Sequence, residues 1–233
     1  MKLIDVLLLD NDIKQKYDEI QSVDTTSYYH GYKHIMNVIA ILLKFIQLFN
    51  IDEHEADKLL VAVLFHDIGR GKTGKGHELL SADFMKNHLK KYDISKFGFK
   101  EEDIDEMYEA IKVHEQKDNL EQLTMFQLLI NIVDKLDVTK ERINLNNPLN
   151  PELPSYKFDV FREIYLDVNA VNPRIEDGSL KLEFECNDNM TLERLYSIPF
   201  MQAVDKLHKE LASRYGLNAK TEIIAESNNY SKW

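Results

Sequence analysis

The sequence predicts an all-α helical bundle with a small C-terminal β-hairpin. Three observations carry this. Apolar residues recur at helical spacing along most of the chain, as at Val38, Ile41, Leu42 and Phe45. One unbroken apolar run, residues 59–65, marks a central buried helix and is far too short to span a bilayer. Strand periodicity appears only late, where Leu180, Leu182, Phe184 and Cys186 alternate with Lys181, Glu183 and Glu185.

The elements follow in order. A helix is expected over about residues 32–49. Asp52 opens the next one and can cap its free N–H groups, with Glu55 placed to reach back as in a capping box. Residues 70–76, with three glycines and three basic residues, read as a loop. Helices are expected over about 77–91, over 101–114 with Ile104, Met107, Tyr108 and Ile111 on one face, and over 121–137. Residues 146–154 carry three prolines and read as a loop; 158–168 again look helical. Asp177-Gly178 signals a hairpin turn. The partner strand then covers roughly 170–175, with Pro173 marking it as an edge. A last helix spans about 192–215, kinked at Pro199 and ended by Gly216. The polar tail after Ala219 is assigned no structure. Residues 1–155 are expected to form the main helical domain, and 156–233 an elaboration packed on it.

Composition narrows the function classes. The chain has 233 residues, 44% of them hydrophobic, enough for a core. Its formal net charge of -11 opposes binding to a nucleic-acid polymer. It does not oppose a small anion, because bound metal can override the global sign. One cysteine, Cys186, allows no internal disulfide and suits a reducing cytoplasm. The apolar start at residues 1–10 is interrupted by Asp5 and Asp10, with no small-residue cleavage site after it. The expectation is a cytoplasmic monomer or homodimer with no membrane partner.

Several polar residues stand where their helices should turn inward. His34 shares the stripe of Val38, Ile41 and Phe45. His77 leads Leu80, Ser81 and Phe84. His114 continues the face of Ile111, and Asp134 lies one turn after Ile130. His66-Asp67 ends the apolar run, where an unpaired carboxylate would cost several kcal/mol or shift its pKa. One inward histidine is ordinarily a hydrogen-bonded core residue. Imidazoles and carboxylates converging from five segments are what a metal requires. His30, one turn before His34, could face the same cavity; His54 reads as surface, and His88 and His208 as surface or packing residues.

Taken in order, His34, His66-Asp67 and Asp134 resemble the H…HD…D signature of the HD superfamily of metal-dependent phosphohydrolases. Tyr29-His30-Gly31-Tyr32-Lys33-His34 resembles the segment carrying the family's first histidine. His66-Asp67-Ile68-Gly69-Arg70 resembles its "HDIG" central motif. Asn131-Ile132-Val133-Asp134-Lys135-Leu136-Asp137 resembles its late aspartate segment. The likeness covers roughly residues 25–140. It implies an HD-domain bundle in which His34, His66, Asp67 and Asp134 ligate a first divalent ion. It further implies that His77 and His114 join a second ion bridged by Asp67. Mn, Fe, Co, Ni and Zn all suit such ligands, and Mg remains open for one metal.

The resemblance also implies hydrolysis of a phosphate ester of a small molecule, a nucleotide or another phosphomonoester, with Asp67, Arg70 and His77 at the reacting centre. Arg70, Lys72, Lys75 and Lys135 are candidates to hold the phosphate, Arg70 first because of its bidentate fork. Residues 69–76 nearly spell a Walker A loop, but Gly76 stands where Ser or Thr is needed and a helix precedes it. Arg70-Gly71 replaces the acidic pair of guanosine-tetraphosphate hydrolases. The Gly-Tyr-Pro element of cyclic-dinucleotide phosphodiesterases is not found. Two alternatives stay open: di-iron oxygenase chemistry, known on this fold with six ligands, and a non-catalytic nucleotide-binding module.

Overall fold

The structure is a computed structural model, and it describes residues 2–23, 28–71, 76–145, 152 and 161–225. Helix α1 (Leu3–Leu7) and α2 (Asn11–Val23) come first. Neither was read from sequence. Both are anchored by the apolar helix α4 (Glu53–Phe65). The Asp57 carboxylate accepts the free N–H groups of Leu3 and Ile4 at 2.9 and 3.1 Å, capping α1 from a distance. The buried Tyr17 hydroxyl donates to the Leu64 carbonyl at 2.6 Å, tying α2 to the same helix.

Helix α3 (Tyr32–Leu48) lies beside α4, as its apolar stripe predicts. Asp52 does cap α4, accepting from the N–H groups of His54 and Glu55. Glu55 itself turns to Lys58 Nζ at 2.6 Å instead of reaching back to the cap. Helices α5 (His77–Leu89) and α6 (Glu101–Lys112) pack on each other. Helix α7 (Met125–Lys135) begins later than its periodicity suggests. Thr124 and Gln127 form a reciprocal capping box there, so residues 120–122 make a separate 3-10 turn.

The C-terminal part departs more from expectation. Residues 158–168 were read as one helix; of the described residues only α8 (Arg162–Leu166) is helical. Strands β1 (Val168–Glu176) and β2 (Ser179–Cys186) form the expected antiparallel hairpin, with Asp177 and Gly178 both at positive φ. The last helix is two: α9 (Leu192–Tyr196) and α10 (Met201–Arg214). Pro199 lacks an N–H and its ring clashes with the preceding turn, which breaks the helix outright. Past Gly216, strand β3 (Asn218–Ala225) pairs parallel with β2, so the hairpin is a three-stranded sheet of order β1-β2-β3.

The extra strand also shields two of the charged residues that alternate along β2, Lys181 and Glu183. Both are nearly buried, because β2 is central and its charged face is covered by neighbouring strands. Lys181 pairs with Glu176 and Glu222, and Glu183 with Arg174. Helix α10 packs on α7 and β1 on α3, so the sheet leans on the helices that carry the site. No helix among the described residues is long and apolar enough to cross a membrane.

Candidate metal centre

Five segments bring their polar side chains to one buried point. His34 projects from the middle of the α3 core face and is fully buried. His66 is the residue that ends α4, and Asp67 follows in the tight turn. His77 is the first residue of α5, His114 follows α6, and Asp134 lies near the end of α7. All six are buried.

The turn after α4 is pressed against α5. A Cβ on Gly69 would meet the Ser81 backbone nitrogen at 2.4 Å and Leu80 at 2.7 Å. The Gly69 N–H instead donates to Ser81 Oγ at 2.9 Å. Only glycine allows this approach, and the approach sets His77 against Asp67.

The distances separate into two groups. His34 Nε2 and His66 Nε2 each stand 3.3 Å from Asp134 Oδ1. Asp67 Oδ2 is 3.8 Å from the first and 4.0 Å from the second. On the other side, Asp67 Oδ1 lies 2.8 Å from His77 Nε2 and 3.7 Å from His114 Nε2. Those two imidazole nitrogens are 3.1 Å apart. Two ligands at about 2.1 Å from a shared tetrahedral ion stand about 3.4 Å apart, so both groups have the spacing a cation needs. Asp67 turns one oxygen to each group. Glu115, half-buried beside His114, comes within reach of the second group and was missed from sequence. Its only sequence signal was its place next to a candidate ligand.

The outer contacts set which nitrogens face inward. His66 Nδ1 meets the Val63 carbonyl at 2.8 Å, and His114 Nδ1 meets the Ile111 carbonyl at 2.6 Å. A carbonyl only accepts, so the proton sits on Nδ1 and the Nε2 lone pair faces the cluster. His34 Nδ1 meets Asp137 Oδ2 at 2.7 Å. Its Nε2 is buried, has no hydrogen-bond partner, and points between two carboxylates. An orphaned imidazole nitrogen beside two acids fits a divalent cation.

Electrostatics agree. Burial pushes the Asp67 carboxyl up, but His66, His114, His77 and Arg70 together hold it well below the usual carboxylate range. Burial likewise opposes ionisation of Asp134, while Lys135, His34 and His66 hold it well below that range. Burial lowers the affinity of His66 for a proton, yet Asp67 and Asp134 outweigh it and raise its pKa. The same two carboxylates that would bind a proton on His66 would bind a metal cation.

The candidate phosphate residues divide. Arg70 stands at the rim, with its guanidinium 3.9 Å from Asp67 Oδ2 and its side chain 26% exposed. Lys135 points inward and is nearly buried, donating to the His114 carbonyl at 2.8 Å and lying 3.4 Å from Asp134 Oδ2. It acts as a strut that holds the His114 turn, together with Asn131, whose amide donates to the Gln116 carbonyl. Lys72 and Lys75 lie outside the described residues. His30 is buried with its ring 6.4 Å from that of His34, and it belongs to neither group. His88 pairs with Asp10 and His208 with the Leu180 carbonyl, so both are packing residues.

The HD domain family model matches residues 31–139, a stretch containing all six of these side chains. This stretch is an HD domain. HD domains bind divalent metals and belong to a metal-dependent hydrolase type of family, and their fold also covers other activities. No curated protein matches the chain.

Proposed function

We propose that this HD protein is a metal-dependent phosphohydrolase acting on a small anionic phosphate ester, a nucleotide or another phosphomonoester. The observation that carries the reading is the division of Asp67, whose Oδ2 faces His34, His66 and Asp134 while its Oδ1 faces His77 and His114. His34, His66, Asp67 and Asp134 would hold a first divalent ion; Asp67, His77 and His114 would hold a second. Such ions supply an acidified water and neutralise charge growing on phosphoryl oxygens.

The chain's own residues do the rest. The carbonyls of Val63 and Ile111 and the Asp137 carboxylate lock three imidazoles in the tautomer that ligates. Gly69 and the capping contacts hold the groups on short, rigid connections, which preserves the spacing in-line attack requires. Arg70 at the rim can contact two phosphoryl oxygens at once without displacing a ligand.

The test is elemental analysis of untreated protein followed by a panel of phosphate esters assayed with the metal found. The expected result is one or two transition-metal ions per chain and phosphate release that disappears in Asp67→Ala. Oxygen uptake with no phosphate release would transfer the protein to redox chemistry. Unchanged activity in Asp67→Ala would remove the site from consideration.

A further inference from the structure

Arg142 is a cation that no motif indicated. It sits in the 3-10 turn Lys140–Arg142, just beyond α7. That turn is fastened to the segment leading into α3: the Tyr29 N–H donates to the Arg142 carbonyl at 2.7 Å, and Tyr28 bridges Ile143. The backbone therefore holds Arg142 near the start of α3, where it reaches Asp137, the carboxylate on the outer nitrogen of His34. Its side chain is only 15% exposed, and its guanidinium stands 3.7 Å from Asp137 Oδ2, beyond hydrogen-bond distance. The Asp137 carboxylate is already engaged, by His34 on Oδ2 and by Asn37 on Oδ1. Among the described residues the guanidinium makes no hydrogen bond. The guanidinium is thus held in a mostly enclosed corner by its ion pair with Asp137 alone, and among the described residues its N–H donors stay available to a ligand. The ring of Tyr165, edge-on to Tyr28 at 5.1 Å, closes the same corner.

The charge balance says what the donors await. Asp67, Asp134 and Asp137 are matched by Arg70, Lys135 and Arg142, and Glu115 adds one negative charge. Two divalent ions would leave this cluster net positive inside a chain of net charge -11. Resting on the phosphohydrolase reading, we infer that Arg142 forms an anion subsite on the His34 side of the metal centre, opposite Arg70. It takes phosphate oxygens of the substrate, so the two arginines hold the phosphate from both flanks.

The test measures inorganic phosphate binding to the manganese-loaded protein by calorimetry, with manganese affinity and stoichiometry measured in parallel. Arg142→Gln should keep the manganese stoichiometry and bind phosphate about ten- to a hundredfold more weakly, the loss expected for charge-assisted bonds. Arg142→Lys, which keeps the charge and stem, should recover only part of that loss, and it decides the matter if the glutamine variant does not fold. Phosphate affinity unchanged in the variants, or lost only in step with manganese, would overturn the inference and leave Arg142 a prop for Asp137. Wild-type protein that binds manganese but neither phosphate nor any ester would overturn the phosphohydrolase reading together with it.

Discussion

Replacing Gly69 by alanine puts one methyl group where backbone already stands. Its Cβ would lie 2.4 Å from the Ser81 nitrogen, whereas Cβ contacts below 3.0 Å essentially do not occur. The turn and the first turns of α5 must then separate by about 1 Å. Neither side can yield by a side-chain rotation, so the cost belongs at the upper end of overpacking, about 3 kcal/mol including the strained Gly69–Ser81 hydrogen bond. For a chain of this size that is a fall in Tm of roughly 6 to 12 °C. The functional consequence is sharper. His77 opens the same helix four residues before Ser81, and its Nε2 lies 2.8 Å from Asp67 Oδ1. Metal ligands tolerate about 0.2 Å, so the second ion should be lost while the first remains. Gly71→Ala is the control: its Cβ meets nothing within 4 Å, and it should change stability by no more than about 0.5 kcal/mol. Thermal unfolding and manganese titration of both variants give the answer. If Gly69→Ala melts with Gly71→Ala and binds as many ions as wild type, the close approach does not position His77 and the reasoning fails.

Four further outcomes are expected. Asp137→Asn, which exchanges the charged acceptor of the His34 Nδ1 proton for a neutral amide, should weaken manganese binding about 10- to 100-fold by calorimetry with little change in fold by circular dichroism. Manganese at about 100 times its Kd should stabilise the protein by about 2.7 kcal/mol, and Asp67→Ala should abolish that shift in thermal unfolding. Asp57→Ala leaves the Leu3 and Ile4 N–H groups without their acceptor and should cost about 2 kcal/mol in urea unfolding. Burial pushes Asp10 up, but hydrogen bonds from Tyr92 and His88 prevail and lower its pKa from 3.8 to about 2. A depressed carboxylate stabilises the fold above its unfolded pKa and loses that contribution as pH falls through the folded value. The deficit of Asp10→Asn should therefore be about 2 kcal/mol at neutral pH and vanish between about pH 4 and pH 2, measured by unfolding across that range.

The candidate ligands were legible partly because some occupy helical stripe positions that should hold an apolar side chain. His34 among Val38, Ile41 and Phe45 is such a case, and so is Asp134 after Ile130. Their outer supports were not legible. Asp137 stood in the late aspartate segment with no sign that it would pair with the outer nitrogen of His34, and Lys135 looked like a candidate phosphate clamp. Both readings depend on which way a side chain turns at a helix end, where the 3.6-residue period stops constraining direction. Strand β3 was invisible for a related reason. Its polar residues come first and Ile223 and Ile224 stand side by side, so alternation carries no signal, and only pairing with β2 makes it a strand.

By itself the chain order determined the helices between residues 32 and 135 and that acids and imidazoles would be buried beside them, because local periodicity decides which face of a helix leaves water. It also fixed the HD stretch, since a motif is a matter of identity and order. Only the tertiary structure decided that Asp67 divides its two oxygens between two groups of imidazoles, that Lys135 is a strut, and that Arg142 comes to the site. Those facts depend on the packing of elements distant in sequence, where a shift of one ångström turns a ligand into a bystander.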